Sequence, residues 1–146
     1  MKTAVALISI CASLCASQVF AKDIFNDQKP FVDYLLSKNG AVGVLKSSFG
    51  SIDTSLDCFN AGMLTFKVYL TGKLSEENAQ AYGVMTFLSA SAIDHFKTDM
   101  MIDEQTFAAL NEASTARVND DQTGTTIIQQ CQQILMVSAQ KLVALP

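Results

Sequence analysis

The sequence has no tryptophan, a single histidine, and charged residues at only 16% of its positions. It also lacks the Gly-x-Ser-x-Gly motif of serine hydrolases and the Cys-x-x-Cys motif of redox proteins. A catalytic histidine needs an activated nucleophile beside it, and the segment around His95 offers none. One histidine is also too few for a usual zinc site. We therefore expect no catalytic residue, no metal and no cofactor, and we do not expect an enzyme.

The charge balance is acidic, with a formal net charge of −4. Phosphate backbones and anionic membrane surfaces repel such a domain. We therefore expect neither nucleic acid nor membrane as a partner, and a basic protein fits better.

Residues 1–21 are predicted to be a secretory signal peptide, followed by one helical domain over 22–146. Lys2 gives the charged start, Ala4–Leu14 is apolar, and Ala21 precedes a plausible cleavage site. A membrane span is the alternative, but serines interrupt an apolar run that is shorter than the roughly 20 residues a span needs. No asparagine begins a glycosylation acceptor. These features favour a bacterial periplasm.

Cleavage would remove two of the four cysteines and leave Cys58 and Cys131. Because exported proteins fold in oxidising compartments, we expect these two to form a disulfide. The alternative is a pair of buried free thiols. Their wide separation in sequence argues for a structural bond and against a redox-active one.

The mature sequence is predicted to be all-α, a compact single-domain bundle of about five helices with one disulfide. Apolar residues recur at helical spacing, and no stretch alternates as a half-buried strand would. The predicted helical segments are 30–38, 41–49 (weakened by Gly43), 53–71, 75–97, 104–117 and 125–145. Ser75 and Asp103 are the predicted N-terminal caps of the fourth and fifth segments. The segment 75–97 combines small residues with apolar residues around much of its circumference, which is typical of a central helix.

Three segments have a predicted inward face. In 53–71 this face comprises Ile52, Leu56, Phe59, Met63, Phe66 and Leu70. In 104–117 it comprises Phe107, Leu110 and Ala113 or Ser114. In 125–145 it comprises Ile127, Ile128, Cys131, Ile134, Leu135, Ser138 and Leu142. Glutamines occupy the other side of this last helix. We favour a solvated face for them, and a partner-binding surface or the seam of a possible homodimer is the alternative.

Two connections are the candidate partner-binding segments, since inhibitory contacts on a helical scaffold come most readily from projecting loops. The candidate residues are Asp99, Met100, Met101, Asp103, Asn119, Asp120, Asp121 and Gln122. For the two methionines we favour a core position, with an exposed contact surface as the alternative. The polar segment 118–124 is predicted to be a solvated loop. Calcium binding is disfavoured there, because the closing glutamate of the calcium loop is replaced by Gln130.

The sequence combines a predicted signal peptide, one predicted helical domain and a cysteine pair, Cys58 and Cys131, that would join an early helix to the last. This layout resembles the helical periplasmic immunity proteins of type VI secretion systems, which neutralise peptidoglycan-degrading effectors. The resemblance implies a periplasmic inhibitor that plugs the active-site cleft of a lysozyme- or amidase-like toxin. Its partner would be a basic cell-wall hydrolase.

Two other functions compete with this one. Small disulfide-linked helical chaperones of the acid-stress type share the outline, although they are usually richer in charged residues than this chain. An enzyme with an unrecognised site is the third alternative, and the missing catalytic motifs disfavour it.

Overall fold

A computed structural model describes residues 27–70, 72 and 75–146, with only the backbone of 66–70. These residues form six α-helices and no strand, which confirms the predicted all-α class. The helices are α1 (Lys29–Leu36), α2 (Ala41–Phe49), α3 (Ile52–Leu70), α4 (Glu76–Asp99), α5 (Glu104–Asn119) and α6 (Asp121–Ala144). The predicted signal peptide at 1–21 and the first residues of the 22–146 domain lie outside the described residues.

Side-chain caps start α4 and α5 at the residues where the sequence predicts these caps. The Ser75 side chain accepts a hydrogen bond from the backbone N–H of Asn78, at 3.3 Å, and begins α4. Asp103 does the same for α5, accepting from Thr106 at 2.7 Å. Each cap satisfies a backbone donor that has no partner within the helix.

The predicted disulfide joins Cys58 of α3 to Cys131 of α6. Both residues are fully buried, and the main apolar cluster surrounds them. Every helix contributes to this cluster, whose members include Val32, Leu35, Leu45, Phe49, Ala61, Met85, Leu88, Val118, Ile127 and Leu142. The bond is therefore part of the core and inaccessible to substrates, as a structural disulfide is.

Helix α4 is central, as predicted, and contacts α1, α2, α3 and α6. It approaches α3 closely at Gly62, where an added Cβ would lie 2.1 Å from Thr86 Oγ1. The buried hydroxyls at this contact have partners within their own helix. Thr86 donates to the carbonyl of Tyr82 at 2.7 Å, and Ser89 donates to that of Met85 at 2.7 Å. Small side chains thus allow close packing without leaving polar groups unsatisfied.

The predicted inward face of α3 is confirmed at Ile52 and Leu56, which are buried, and at Phe59, which packs against them. It is wrong at Met63, which is exposed. The buried face also includes small residues that apolar spacing missed, because the close contact with α4 selects small side chains rather than large ones; they are Ser55, Cys58, Ala61, Gly62 and Thr65. The side chains of Phe66 and Leu70 lie outside the described part. In α5, Ser114 is buried and Ala113 is exposed, so of the two alternatives only Ser114 faces inward.

The Gly62 contact predicts a specific double-mutant result. We expect Gly62→Ala to cost about 1–3 kcal/mol of stability, because overpacking outweighs the better helix propensity of alanine. Thr86→Ala removes the clashing hydroxyl, so the double variant should lose less than the sum of the two single losses. Chemical denaturation of all three variants measures this coupling.

Gly43→Ala is the matched control, because Gly43 is also helical and an added Cβ there meets nothing within 4 Å. It should stabilise the protein by up to about 1 kcal/mol. Equal effects of the two glycine substitutions would contradict the close α3–α4 contact.

Candidate functional site

The last residue of α4 and the connection to α5, residues 99–103, form a segment that projects two methionines into solvent, and we call it the methionine tip. Met100 is 60% exposed and Met101 is 88% exposed. The interpretation of both as core residues is therefore wrong. Ile102 takes the inward place instead and packs against the small cluster formed around Leu56 and Ile93. One inward side chain is enough to close this end of the bundle, which leaves the methionines outside.

The backbone of the tip forms a common C-terminal helix motif, but a methionine occupies the position that is usually glycine. The N–H of Met101 donates to the carbonyl of Thr98 at 3.2 Å, and that of Ile102 donates to Lys97 at 3.1 Å. These two bonds define the ending in which glycine usually occupies the left-handed position. Here that position is Met101, with φ of 52°. A side chain in this conformation costs about 1 kcal/mol or more, and the exposed Met101 recovers little of it through burial.

Charged contacts hold the tip from both sides. Lys46 of α2 pairs with Asp99, and Lys97 of α4 pairs with Glu104 of α5 at 2.8 Å. Lys97 Nζ also lies 4.4 Å from the centre of the Phe107 ring. These surface pairs are individually weak. Together they connect three helices at the point where the chain turns.

An open depression of about 550 Å³ lies beside the tip. It is lined by Asp94, Lys97, Thr98, Met101 and Ile102. Asp103, at the far side of the tip, has its pKa lowered by hydrogen bonds from the backbone N–H and the hydroxyl of Thr106. The local surface is therefore an apolar point surrounded by charged groups of both signs.

The second candidate segment differs from the predicted loop. Asp120 is the single residue between α5 and α6, and residues 121–124 form the first turn of α6. The prediction of a solvated loop over 118–124 is therefore wrong. Gly124 makes the sharp junction possible, because a Cβ there would lie 2.3 Å from the carbonyl oxygen of Val118. Asp120 caps α6 by accepting from the N–H of Thr123 at 3.0 Å.

The exposed side chains of this junction are Asn119, Asp120, Asp121 and Gln122. Two small grooves of about 110 and 190 Å³ run beside it, and both are lined by Leu64, Val118 and Asn119. The backbone N–H and the hydroxyl of Thr123 lower the pKa of Asp120. The Asp120 cap and its lowered pKa are features of a helix start. The two grooves are too small for a large ligand.

The structure does not bring the two candidate segments together. They lie at opposite ends of α5, whose 16 residues span ~24 Å. Asp99, Met100, Met101 and Asp103 form one surface, and the Asn119–Gln122 group forms another. They are therefore two separate candidate surfaces.

Sequence reasoning missed a polar network between α3 and α5. Asp57 accepts from Ser114 Oγ at 2.7 Å and from Arg117 Nη2 at 2.7 Å, while Asn60 donates to Ser114 at 3.0 Å and to Asn111 at 3.1 Å. The hydrogen bonds that Arg117 donates to the Asp57 carboxylate raise the pKa of Arg117. The spacing of three residues in both helices was the available signal, since it places polar groups on facing stripes.

This network is structural rather than catalytic. Ser114 is fully buried, so a substrate cannot reach its hydroxyl. Within the described residues, no hydrogen bond joins His95 to a serine or threonine hydroxyl. No group of three or more metal-ligating side chains occurs in the searched part of the chain either.

A scan against protein-family models and searches of curated proteins and of solved structures find no match for this chain. None of the helices within the described residues is long and apolar enough to cross a bilayer. Information on function therefore comes from the surfaces of the molecule itself. Of these, the methionine tip has the larger exposed apolar area and the strained backbone.

The strain at Met101 predicts that removing its side chain stabilises the protein. We expect Met101→Gly to raise the unfolding free energy by about 0.5–1 kcal/mol, because glycine adopts the left-handed conformation without a steric cost. The same substitution at exposed Met136, inside α6, should instead lower it by about 1 kcal/mol. Denaturant unfolding of both variants measures the difference, and a loss of stability in Met101→Gly would contradict the strain.

The lowered pKa of Asp120 predicts a pH effect on stability. Its cap contributes above the ordinary carboxyl pKa of 3.8, and the contribution is lost as pH falls through the lower folded value. Asp120→Asn keeps an acceptor that does not titrate. Thermal unfolding from neutral to strongly acid pH should therefore show wild type losing stability relative to Asp120→Asn below about pH 4. A constant difference between the two across that range would rule the cap out as its source.

Proposed function

We propose that this protein is a periplasmic immunity protein that binds and inhibits a secreted peptidoglycan hydrolase, with the methionine tip as its main contact. The observation that carries the proposal is Met101, a large apolar side chain that is 88% exposed in a strained conformation. Such strain persists where the surrounding structure enforces it, and it is concentrated at functional positions. The acidic charge and the layout of the chain support the identity of the partner.

The chemistry of the tip suits insertion into a cleft. Methionine is unbranched and polarisable, so it fills pockets of irregular shape. The backbone beneath it is held by the Asp103 cap and by the Lys46–Asp99 and Lys97–Glu104 pairs. A contact held in its bound shape loses less entropy on binding. The tip therefore offers an adaptable side chain on a fixed support.

Charge favours a basic partner. The chain carries a net charge of −4, and hydrolases that act on the anionic cell wall are often basic. Opposite net charges speed diffusional encounter. Asp99 and Glu104 already pair with lysines of this chain, so the attraction comes mainly from the whole acidic surface.

The surroundings of the tip fit a binding protein better than an enzyme. The depression beside it is open, and its titratable lining is limited to Asp94 and Lys97. Enzymes act in concave sites that exclude water. The Cys58–Cys131 disulfide is compatible with an oxidising compartment, which agrees with the periplasmic location in the proposal.

The test uses the hydrolase encoded in the neighbouring reading frame, since a toxin and its inhibitor are inherited together. Purified mature protein should bind it and block its digestion of peptidoglycan at neutral pH. Met101→Lys should weaken binding at least about 30-fold, because loss of a central apolar contact costs about 2 kcal/mol or more. Titration calorimetry measures the affinity, and turbidity of a wall suspension measures inhibition.

Met63→Lys is the control, because it also replaces an exposed methionine by lysine, beside the groove lined by Val118 and Asn119 at the opposite end of α5 from the tip. It should bind as wild type does. Equal weakening by both variants would contradict the assignment of the tip. A wild-type protein that neither binds the hydrolase nor protects cells exporting it would refute the immunity function, and suppression of aggregation at strongly acid pH would then favour the chaperone.

A further inference from the structure

The outer face of α6 is exposed along its length and carries almost no charge. No acidic or basic residue occurs from Gln122 to Gln140. Six exposed residues follow one another at alternating steps of three and four, which places them in one stripe that we call the α6 seam. They are Thr126, Gln129, Gln133, Met136, Gln140 and Val143.

The seam has the spacing of helices that pair with another helix. Steps of three and four keep one line of side chains facing a partner in side-by-side packing. Met136 and Val143, one heptad apart, are 58% and 57% exposed. A helix face that only meets water is usually rich in charged residues, and this one combines glutamine with apolar side chains. The face is therefore suited to contact with another helix.

Charge points to a second copy of this chain as the occupant. Two copies with a net charge of −4 repel each other over most of their surfaces. The seam is the face on which they approach without facing like charges. Its glutamine amides both donate and accept hydrogen bonds, so identical side chains can pair across the contact.

The two ends of α6 have opposite charge, which sets the orientation. Asp120 and Asp121 lie at its start. Lys141 lies in its last turn, and Lys38 Nζ donates to the carbonyls of Leu142 and Leu145 at 3.2 and 3.0 Å. In an antiparallel pair, the acidic end of each helix lies near the basic end of the other. The helix dipoles are also favourably opposed in this arrangement.

We propose that two copies of this chain associate through antiparallel α6 seams, with Gln133 near the two-fold axis. Met136 then lies beside Gln129 of the second copy, and Val143 lies beside its Gln122. The interface is the same surface on both copies, as two-fold symmetry requires. The inference is independent of the immunity function, because the methionine tip lies at the α4–α5 connection, outside the seam.

Sedimentation of the mature protein over a concentration series tests the association. Wild type should show a reversible rise toward the dimer mass. Met136→Glu and Met136→Lys should both weaken dimerisation at least tenfold, since either charge is desolvated in the seam. If only net charge governed association, the lysine variant would dimerise more tightly than wild type, and the proposal would be wrong. Circular dichroism confirms that both variants fold.

Met100→Lys separates the seam from the tip as the dimer surface. Met100 and Met136 are the same residue type with nearly equal exposure, so a general effect of surface lysine would act on both. Only the Met136 variants should dissociate. A wild-type protein that stays monomeric at high concentration, or a dimer lost in Met100→Lys and kept in Met136→Lys, overturns the proposal.

Cysteine cross-linking tests the orientation with Gln133 and Val143 of the seam and with Gln122, which lies four residues before its first member. Gln133→Cys should form an intermolecular disulfide, because the two-fold axis brings this residue beside its own copy. Val143→Cys should not link to itself, yet it should link to Gln122→Cys when the two variants are mixed. Efficient self-linking of Val143→Cys would show a parallel pair and contradict the antiparallel arrangement. The native disulfide is fully buried and does not compete.

Discussion

The disulfide between Cys58 and Cys131 is the constraint on which the rest of this structure depends. It ties α3 to α6 across a sequence separation of 73 residues, inside the main apolar cluster. By chain-entropy arguments, closing such a loop in the unfolded chain stabilises the native state by about 4 kcal/mol. The same helix α3 packs closely on α4 at Gly62 and bonds to α5 through Asp57. Helix α3 thus positions three neighbouring helices: α6 through the disulfide, α4 through the close contact at Gly62, and α5 through the polar network.

A bundle held in this way can maintain a strained residue at its surface. The left-handed conformation of Met101 costs about 1 kcal/mol or more, a sizeable part of the stability of a small domain. Before Met101, the end of α4 is closed by hydrogen bonds to the carbonyls of Lys97 and Thr98. After it, Ile102 packs against the cluster of Leu56 and Ile93, and the Asp103 cap starts α5. Because both flanks are fixed, the backbone between them has little freedom to relax. This is the physical basis for treating the methionine tip as a preformed contact.

Sequence reasoning predicted the helices, the Ser75 and Asp103 caps and the cysteine pairing, because these depend on local chemistry and on the compartment. It failed where packing between helices decides the outcome. Met63 fits an apolar stripe, yet α3 buries its small residues instead, since Gly62 and Thr86 set the distance to α4. The polar segment 118–124 has the composition of a loop, but a single Gly124 contact allows α6 to begin at Asp121. The exposure of Met100 and Met101 depends on which residue of the turn points inward. The spacing of apolar residues cannot predict this, because the turn has no helical repeat.

Two surfaces of the molecule have different proposed roles, partner binding at the tip and self-association along α6. Hydrogen exchange of residues 22–146, alone and mixed with the hydrolase encoded in the neighbouring reading frame, tests the proposed role of the tip most directly. We expect slower exchange at the backbone amides of residues 99–103 in the complex, with little change along residues 129–143. Protection confined to residues 119–122, or to any surface that leaves 99–103 unchanged, would contradict the role of the methionine tip.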